Sequence, residues 1–475
     1  MYNRKSSAKC RILFPAGLKE ALKKMNMQKI NYGLGRRDIT PSMPVSLAGY
    51  FNTRMYTNIL DRIECRAVVL RSEGKQFLLL QFDLLCVDSE LYEKVRERIQ
   101  DLKVFKADNI LMTATHTHTA PDYRKSCLAR NPDYMKFLLD QAEAAVREAV
   151  NDSREGTFSS TVTSDGRFLF NRRYWMKNGK VLTNPGKLNP EIDRPEGVTD
   201  PEIPMLAICN SYGAIQVLFA NIVNHADTIG GTEVSADWPG FFRRSLEKDF
   251  GPESMVFPLI GASGNINHFD VSTERNQTCY EEARRIGLGY AETVRFTLET
   301  LQKIPSFKFK ICAKAFDVAP AEVGAEELQV ARETLEKYKD EPDIRTLKTD
   351  LTSEDLVSGK PAVLKYFAQN LLDIASHTDP FRCRLCGLDL GSVMIASLPG
   401  EPFTEIGLAL RKKIFKDKIC FVVTHSNGLS GYIPNVCCYG RGGYETEVRS
   451  NPYEHSFAEK LEQAWTEMSK ELEFK

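Results

Sequence analysis

The sequence predicts an α/β fold of layered mixed β-sheets flanked by helices, built as one large catalytic domain. Apolar runs of strand length alternate with segments of helical periodicity from residue 29 to the end of the chain. Polar residues suited to chemistry recur just after those strand runs. No linker, internal repeat or low-complexity tract visibly divides the 475 residues.

Residues 29–50 read as a strand carrying Gly33-Leu34-Gly35, then Asp38-Ile39-Thr40-Pro41, then a turn ending Gly49-Tyr50. Ile63–Leu70 and Phe77–Phe82 are strands joined at Ser72-Glu73-Gly74. Ser89–Leu102 puts Leu91, Val95 and Ile99 on one helical face, and Tyr134–Val150 does the same with Leu138, Ala142 and Val146. Between these helices, Asn109–Ala114 is a strand leading into Thr115-His116-Thr117-His118. Gly156–Asn184 reads as β-rich, with Asn178-Gly179 a hairpin turn. Gly186–Pro204, rich in Pro, Gly and acids, reads as a long surface loop.

Met205–Asn210 and Ala214–Asn221 form a strand pair around Tyr212-Gly213. Trp238–Phe250 is helical, Val256–Ile260 is a strand running into Gly261–Gly264, and Tyr280–Thr300 is a helix. Lys308–Asp317 alternates as a strand. Glu322–Tyr338 and Leu364–Ala375 are helices around a polar stretch, and no chemistry attaches to them. Cys386–Pro399 and Ile419–Thr424 are strands, and Ser456–Leu472 is a closing amphipathic helix.

Composition narrows the function. Hydrophobic residues at 42% and charged residues at 27% are ordinary for a soluble globular protein. Lys plus Arg and Asp plus Glu are 63 each, so the basic excess expected of a phosphate-neutralising chain is missing and nucleic acid is not an expected partner. No run reaches the ~20 apolar residues of a membrane span, so no transmembrane segment is expected.

Residues 1–28 read as an N-terminal arm with an amphipathic helix. Ile12–Leu18 contains Pro15 and Gly17 and runs into Lys19, Glu20, Lys23 and Lys24, unlike a cleaved signal. A cytoplasmic protein is expected, with secretion after a missed or removed signal as the alternative. Twelve Cys are too sparse for a disulfide scaffold and fit a reducing compartment. Cys383-Arg-Leu-Cys386 has no second half-site, and two buried strand cysteines is the plainer reading.

Four segments carry chemistry. His116 and His118, two apart on an extended segment, project to one side. Two imidazoles together at a strand end suit a metal, although two hydroxyl-flanked histidines on an exposed edge fit the same motif. His225, in Asn224-His225-Ala226-Asp227, stands at the exit of an apolar strand, where a structural histidine is the commoner case. Glu401, in Pro399-Gly400-Glu401-Pro402, either binds a ligand or complements the dipole of the helix it opens. Asn427–Pro434 is a Gly-rich loop containing Tyr432, and Tyr439–Glu445 follows it.

These motifs, in this order, resemble the catalytic domain of the neutral (non-lysosomal) ceramidase family. The resemblance begins at Gly33-Leu-Gly-Arg-Arg-Asp38-Ile-Thr-Pro41 and reaches Tyr444. It implies a zinc ion held by His116, His225, Glu401 and Tyr432. It implies that His118 is the general acid/base, that Tyr444 faces the substrate, and that Asn171-Arg172 helps to hold it. Ser235-Ala236-Asp237 is similar to the family's Ser-Gly-Asp. Three departures accompany it. Gly264-Asn265-Ile266-Asn267-His268 places Asn267 where the family has an active-site Ser; the stretch 320–380 reads as a helical insertion; and about 30 residues after Tyr444 leave no room for the family's immunoglobulin-like domain.

The expectation is a zinc-dependent hydrolase over residues 29–475 that cleaves an amide of a small-molecule or lipid-like N-acyl substrate with a metal-activated water. Asn267 would hydrogen-bond that substrate. A non-catalytic homologue that retains the metal, or an ester or lactone hydrolase on the same site, are the alternatives. A His-x-His-x-Asp-His site is excluded by Ala120 and Pro121, and no His-Glu-x-x-His helix occurs. Oligomeric state has no signature in the sequence.

Overall fold

The computed structural model describes residues 27–346 and 359–474. The arm read over residues 1–28 lies almost wholly outside them, as does most of the polar stretch between the two insertion helices.

Eight strands form the body of a nine-stranded sheet: β1 (Ile30–Asp38), β2 (Glu64–Ser72), β3 (Lys75–Phe82), β4 (Ile110–Ala114), β5 (Arg154–Ser164), β6 (Glu202–Cys209), β7 (Ile215–Ile222) and β8 (Met255–Ile260). Their spatial order is β8-β7-β6-β5-β1-β2-β3-β4, and Gln302–Lys303 adds a short ninth strand beside β5. A second sheet runs β9 (Lys310–Val318), β10 (Phe381–Asp389), β11 (Val393–Ser397), β12 (Ile419–Val423). The main helices are α1 (Ser89–Ile99), α2 (Pro132–Asn151), α3 (Asp237–Phe250), α4 (Tyr280–Thr297), α5 (Ala325–Lys337), α6 (Pro361–Ala375), α7 (Thr404–Ala409) and α8 (Phe457–Phe474).

One unit of topology recurs three times. In β1-β2-β3-α1-β4-α2 the first two pairings are antiparallel, and β3/β4 is parallel because α1 crosses over between them. The run β5-β6-β7-α3-β8-α4 repeats this pattern, and β9-β10-β11-α7-β12-α8 repeats it again. The first two units share a sheet through β1/β5. In each unit the chain makes a long excursion between its first and second strands, at 39–63, 165–201 and 319–380. The sequence shows no repeat because this architecture constrains hydrophobic pattern and pairing, which many side chains satisfy.

The two sheets pack face to face, burying Val68, Leu79, Phe219 and Phe257 of one against Leu388, Ile395 and Phe421 of the other. Helices cover the outer faces: α1 and α2 on the first unit, α3 and α4 on the second, α7 and α8 on the third. The result is a four-layer α-β-β-α stack, as the α/β reading expects. Gly35 shows how tightly the layers meet, since a Cβ there would lie 1.9 Å from the carbonyl oxygen of Ala145 in α2.

Two readings of the sequence need correction. Cys386–Pro399 is not one strand but the second half of β10, a turn at Gly391 (φ +87°) and β11. Both strands are buried, so the apolar run continues across the turn and hides it. The loop at 186–204 contains a strand, Ile192–Pro195, paired with Arg173–Met176. Cys383 and Cys386 are buried free thiols of β10, as the plainer reading expects.

Beneath the first unit lies a buried charge cluster. Arg243 of α3 grips Asp83, just beyond β3, through two contacts of 2.8 Å, while Arg66 holds Glu64 at 2.5 Å and Glu247 at 2.6 Å. Thr115 donates its hydroxyl to Asp83 at 3.3 Å, so this cluster sets the start of the 115–119 segment. Truncating Asp83 to Ala leaves the buried Arg243 with Glu64 at 3.7 Å in place of its two 2.8 Å contacts. We expect a loss of about 3–5 kcal/mol by urea denaturation, with partial recovery in the double variant Asp83→Ala/Arg243→Met.

Candidate metal centre

The parallel pairs β3/β4, β7/β8 and β11/β12 point their carboxyl ends at one place, where open α/β sheets bind ligands. His116 follows β4 by two residues, His225 follows β7 by three and Glu401 follows β11 by four. His116 has φ +63°, a left-handed conformation that costs energy for a residue with a Cβ and clusters at functional sites.

The side chains converge. Glu401 Oε2 lies 3.5 Å from His116 Nε2 and 3.3 Å from His225 Nε2. His118 Nε2 lies 3.3 Å from His116 Nε2. Donor atoms of His116, His118 and His225 all fall within 4.8 Å of one another. The Nδ1 atoms of His116 and His225 face the carbonyls of Leu85 (2.7 Å) and Ser263 (3.0 Å). That fixes their tautomers, with Nδ1–H donating and each Nε2 lone pair turned inward.

His225 Nε2 and Glu401 Oε2 are buried without a hydrogen-bond partner among the described residues. Such atoms are expensive to bury unless something occupies the space between them. Imidazole nitrogens and a carboxylate oxygen are the donors a borderline divalent cation takes. The set fits a metal ion.

Burial works to raise the pKa of Glu401, but His116 and His225 beside it hold the carboxyl well below the ordinary range. Burial, reinforced by Arg172, drives His225 down to about 3, and burial with His116 drives His118 well below its usual value. His225 and His118 are therefore neutral and free to donate electron pairs.

Tyr432 is brought to the site by backbone pairing: Glu401 and Tyr432 are partners in a short parallel bridge of strands. Its ring packs 5.7 Å from that of Tyr444, and the Arg172 guanidinium lies over both, 5.2 and 5.5 Å from their centroids. Arg172 Nε meets Glu445 at 3.1 Å, and Nη2 donates to the carbonyl of Gly264 at 2.6 Å. Burial pushes Tyr444 up to about 12, so its hydroxyl keeps its proton and can donate.

Asn267 is not brought to the histidines. Its amide donates to Asn184 at 2.8 Å and its carbonyl accepts from the Phe269 backbone. From that segment it is Ser263 that reaches the site, through its carbonyl on His225 rather than its hydroxyl. Asn171 is likewise turned to backbone, accepting from Arg173 N. Asp237, φ +52°, accepts from the amides of Thr228 and Ile229, and Trp238 donates to the His225 carbonyl at 2.8 Å. The 235–237 stretch thus holds the loop that carries His225.

Sequence reasoning missed three neighbours. Asp227 stands 3.4 Å from His118 Nδ1 and accepts from the Tyr50 hydroxyl at 3.1 Å. Glu445 balances Arg172. His425, two residues past β12, stacks on His116 with centroids 3.9 Å apart and planes at 14°. It is buried, has φ +52°, and its Nε2 has no hydrogen-bond partner among the described residues. A signal for it existed: Thr424-His425-Ser426 follows the fourth strand of its unit as Thr115-His116-Thr117 follows the fourth strand of the first.

Comparison with known proteins agrees with the resemblance read from the motifs. Residues 31–165 match the family model described as neutral/alkaline non-lysosomal ceramidase, N-terminal. The chain is 25% identical over 256 residues to a neutral ceramidase of Drosophila melanogaster, covering 50% of this chain and 35% of that protein. It is 22% identical over 287 residues to a neutral ceramidase of Pseudomonas aeruginosa, covering 54% and 40%. The matches thus span well under half the length of these curated relatives. In fold, the chain is similar to the crystal structure of the Pseudomonas aeruginosa neutral ceramidase, with a TM-score of 0.70 and 17% identity over 93% of this chain and 74% of that one. A ceramidase complexed with C2 is similar at a TM-score of 0.68 and 16% identity, over 94% and 75%.

Burial, then His116, lowers the pKa of His425 well below its usual value. The folded group stays neutral while the unfolded one protonates below about pH 6.5, so stability present above that pH is lost as pH falls. Between pH 6.5 and 5, the unfolding free energy of metal-free protein is expected to fall by about 1.7 kcal/mol more than that of His425→Gln. Urea melts across that range measure the difference.

Proposed function

We propose that this chain is a zinc-dependent amidohydrolase that cleaves the amide bond of an N-acyl substrate, as the names of its relatives suggest for ceramide-like amides. The observation that supports it most is the convergence of His116, His225 and Glu401, with buried donor atoms that no protein group satisfies. Tyr432, beside Glu401, is the fourth donor in this reading. We read residues 29–475 as one catalytic domain, with α5 and α6 as its insertion.

A zinc ion bound by these side chains supplies Lewis acidity and lowers the pKa of a water in its coordination sphere. The protein does the rest. His116 and His225 present Nε2 lone pairs because Leu85 and Ser263 hold their Nδ1 protons. His118, less enclosed than they are and backed by Asp227, serves as the proton carrier: its Nε2 takes a proton from the attacking water and gives it to the departing amine. The Tyr444 hydroxyl donates to the oxyanion that forms at the carbonyl. Arg172, fixed by Glu445 and the Gly264 carbonyl, sets the positions of both tyrosine rings and adds positive charge beside the oxyanion. No serine hydroxyl has a part, so Asn267 in place of a serine leaves this route intact.

Two measurements check the assignment of roles. Purified protein is expected to hold one equivalent of zinc, and His116→Ala or His225→Ala to lose it, whereas His118→Ala keeps the zinc and loses turnover by about 10²–10⁴-fold. Release of amine from an N-acyl amide panel should stop on adding a chelator and resume with zinc, and rates on matched amide and ester substrates show which bond the site prefers. Full-length folded protein that takes up no zinc would sink the proposal.

A further inference from the structure

The metal centre opens into a cavity of about 440 Å³ lined by His116, Glu401 and His425 on one side. Ser430 and Gly431 of the Gly-rich loop add to that lining, and much of the rest comes from segments to which the sequence attached no chemistry. Asn370, Asp373 and Ile374 of α6 line it, and so do Arg124 and Arg449.

Helix α6 is seated there by specific contacts. Phe51 of the first excursion packs edge-on against Tyr366 and Phe367, with centroids 6.0 and 6.3 Å apart. The Arg449 guanidinium lies 3.4 Å from the centroid of Phe367. Lys365 donates to the carbonyls of Lys339 and Glu341, both at 2.6 Å, which ties α6 to the end of α5. Thr53 N donates to the Arg345 carbonyl at 2.8 Å, which ties the insertion to the loop before Arg54. The insertion is therefore built into the wall of the site.

The chemistry of that wall is unlike that of a lipid channel. Arg124 forks onto Asp122 with contacts of 2.8 and 2.7 Å, and Arg449 pairs with Glu447 at 2.7 Å. Asp373 accepts from Gln369 through one oxygen, at 2.8 Å. Among the described lining residues Leu85, Cys86, Ile374 and Pro452 are apolar, and the rest apart from Gly431 carry polar or charged side chains. Sites for apolar ligands are lined mostly by hydrophobic and aromatic side chains. A long acyl chain laid here would strip water from paired charges, and the apolar side chains that could receive it are few. A short acyl group fits against Leu85 and Ile374, with a charged or hydroxylated body kept among the ion pairs.

We propose that α6 is the specificity element of this site and that it selects water-soluble N-acyl compounds with short acyl groups and a polar body, against long-chain lipid amides. The proposal rests on the zinc hydrolase reading above and names the substrate class of that same site.

The test uses full-length protein loaded with zinc and three metal-directed probes: acetohydroxamic, hexanohydroxamic and decanohydroxamic acid, titrated calorimetrically below their aggregation limits. Zinc content is measured first. A greasy channel tightens binding about fourfold per methylene along the whole series. The expected result is a modest gain from the acetyl to the hexanoyl probe and a loss of affinity at decanoyl. The double variant Asn370→Leu/Asp373→Leu is expected to raise the ratio of decanoyl to acetyl affinity by about tenfold or more.

Affinity that climbs steadily to the decanoyl probe overturns the proposal, and so does an unchanged ratio in a folded, zinc-loaded double variant. Zinc retained with no probe bound also overturns it. Protein that holds no zinc takes down the hydrolase reading itself, and this inference with it.

Discussion

Buried lone pairs that face one another need something between them, and the centre of this protein is organised around that constraint. His225 Nε2 and Glu401 Oε2 sit in the interior with no donor among the described residues to satisfy them. Folding would avoid such an arrangement unless the free energy of a bound cation offset the desolvation of its ligands. The surroundings make sense as support for it. Backbone carbonyls of Leu85 and Ser263 set two tautomers, and left-handed backbone at His116 and His425 aims their rings. A buried carboxylate at Asp83 anchors Thr115, the residue before His116.

The recurrent strand unit explains how residues nearly three hundred positions apart meet, since His116 and Glu401 come from different units. A helical crossover makes the third and fourth strands parallel, so both end at the same edge of the sheet. Three such edges face inward, and each contributes residues just past a strand end. The excursions between first and second strands then surround the centre: the first brings Tyr50, the second Arg172 and the third α6. Strands give rigid placement and excursions give variety, which is why binding groups concentrate in such loops. The insertion, blank to a reader of motifs, becomes part of the cavity because the third unit places its excursion over the centre.

Much of the fold was legible because burial leaves a period in the sequence. Leu91, Val95 and Ile99 declared α1, and Ser72-Glu73-Gly74 marked the β2–β3 turn. Legibility failed where both faces of a strand are buried: the apolar run from Cys386 to Pro399 conceals a hairpin turn because neither strand alternates. Within the site, His116, His225, Glu401 and Tyr432 stood out through residue type and motif. His425 did not, since the likeness of Thr424-His425-Ser426 to Thr115-His116-Thr117 has meaning only once the recurring strand unit is known. Its significance comes from stacking on His116, a contact between units. Asn267 was placed by register with a family motif, but its side chain turns to Asn184, and the carbonyl of Ser263 serves the site instead. No residue alphabet reports which way a buried amide points.

The sequence by itself determined the class of fold, the order of its elements and the kinds of donor available, because hydrophobic period and residue chemistry are local properties of the chain. Only the tertiary structure decided which of seven histidines stand together, that Asp227 and Glu445 complete their surroundings, and that Asn370 and Asp373 of α6 line the cavity. Those outcomes depend on distances across the stack of sheets. Such distances arise from how strand ends and excursions from three separate units pack against one another, and no stretch of consecutive residues encodes them.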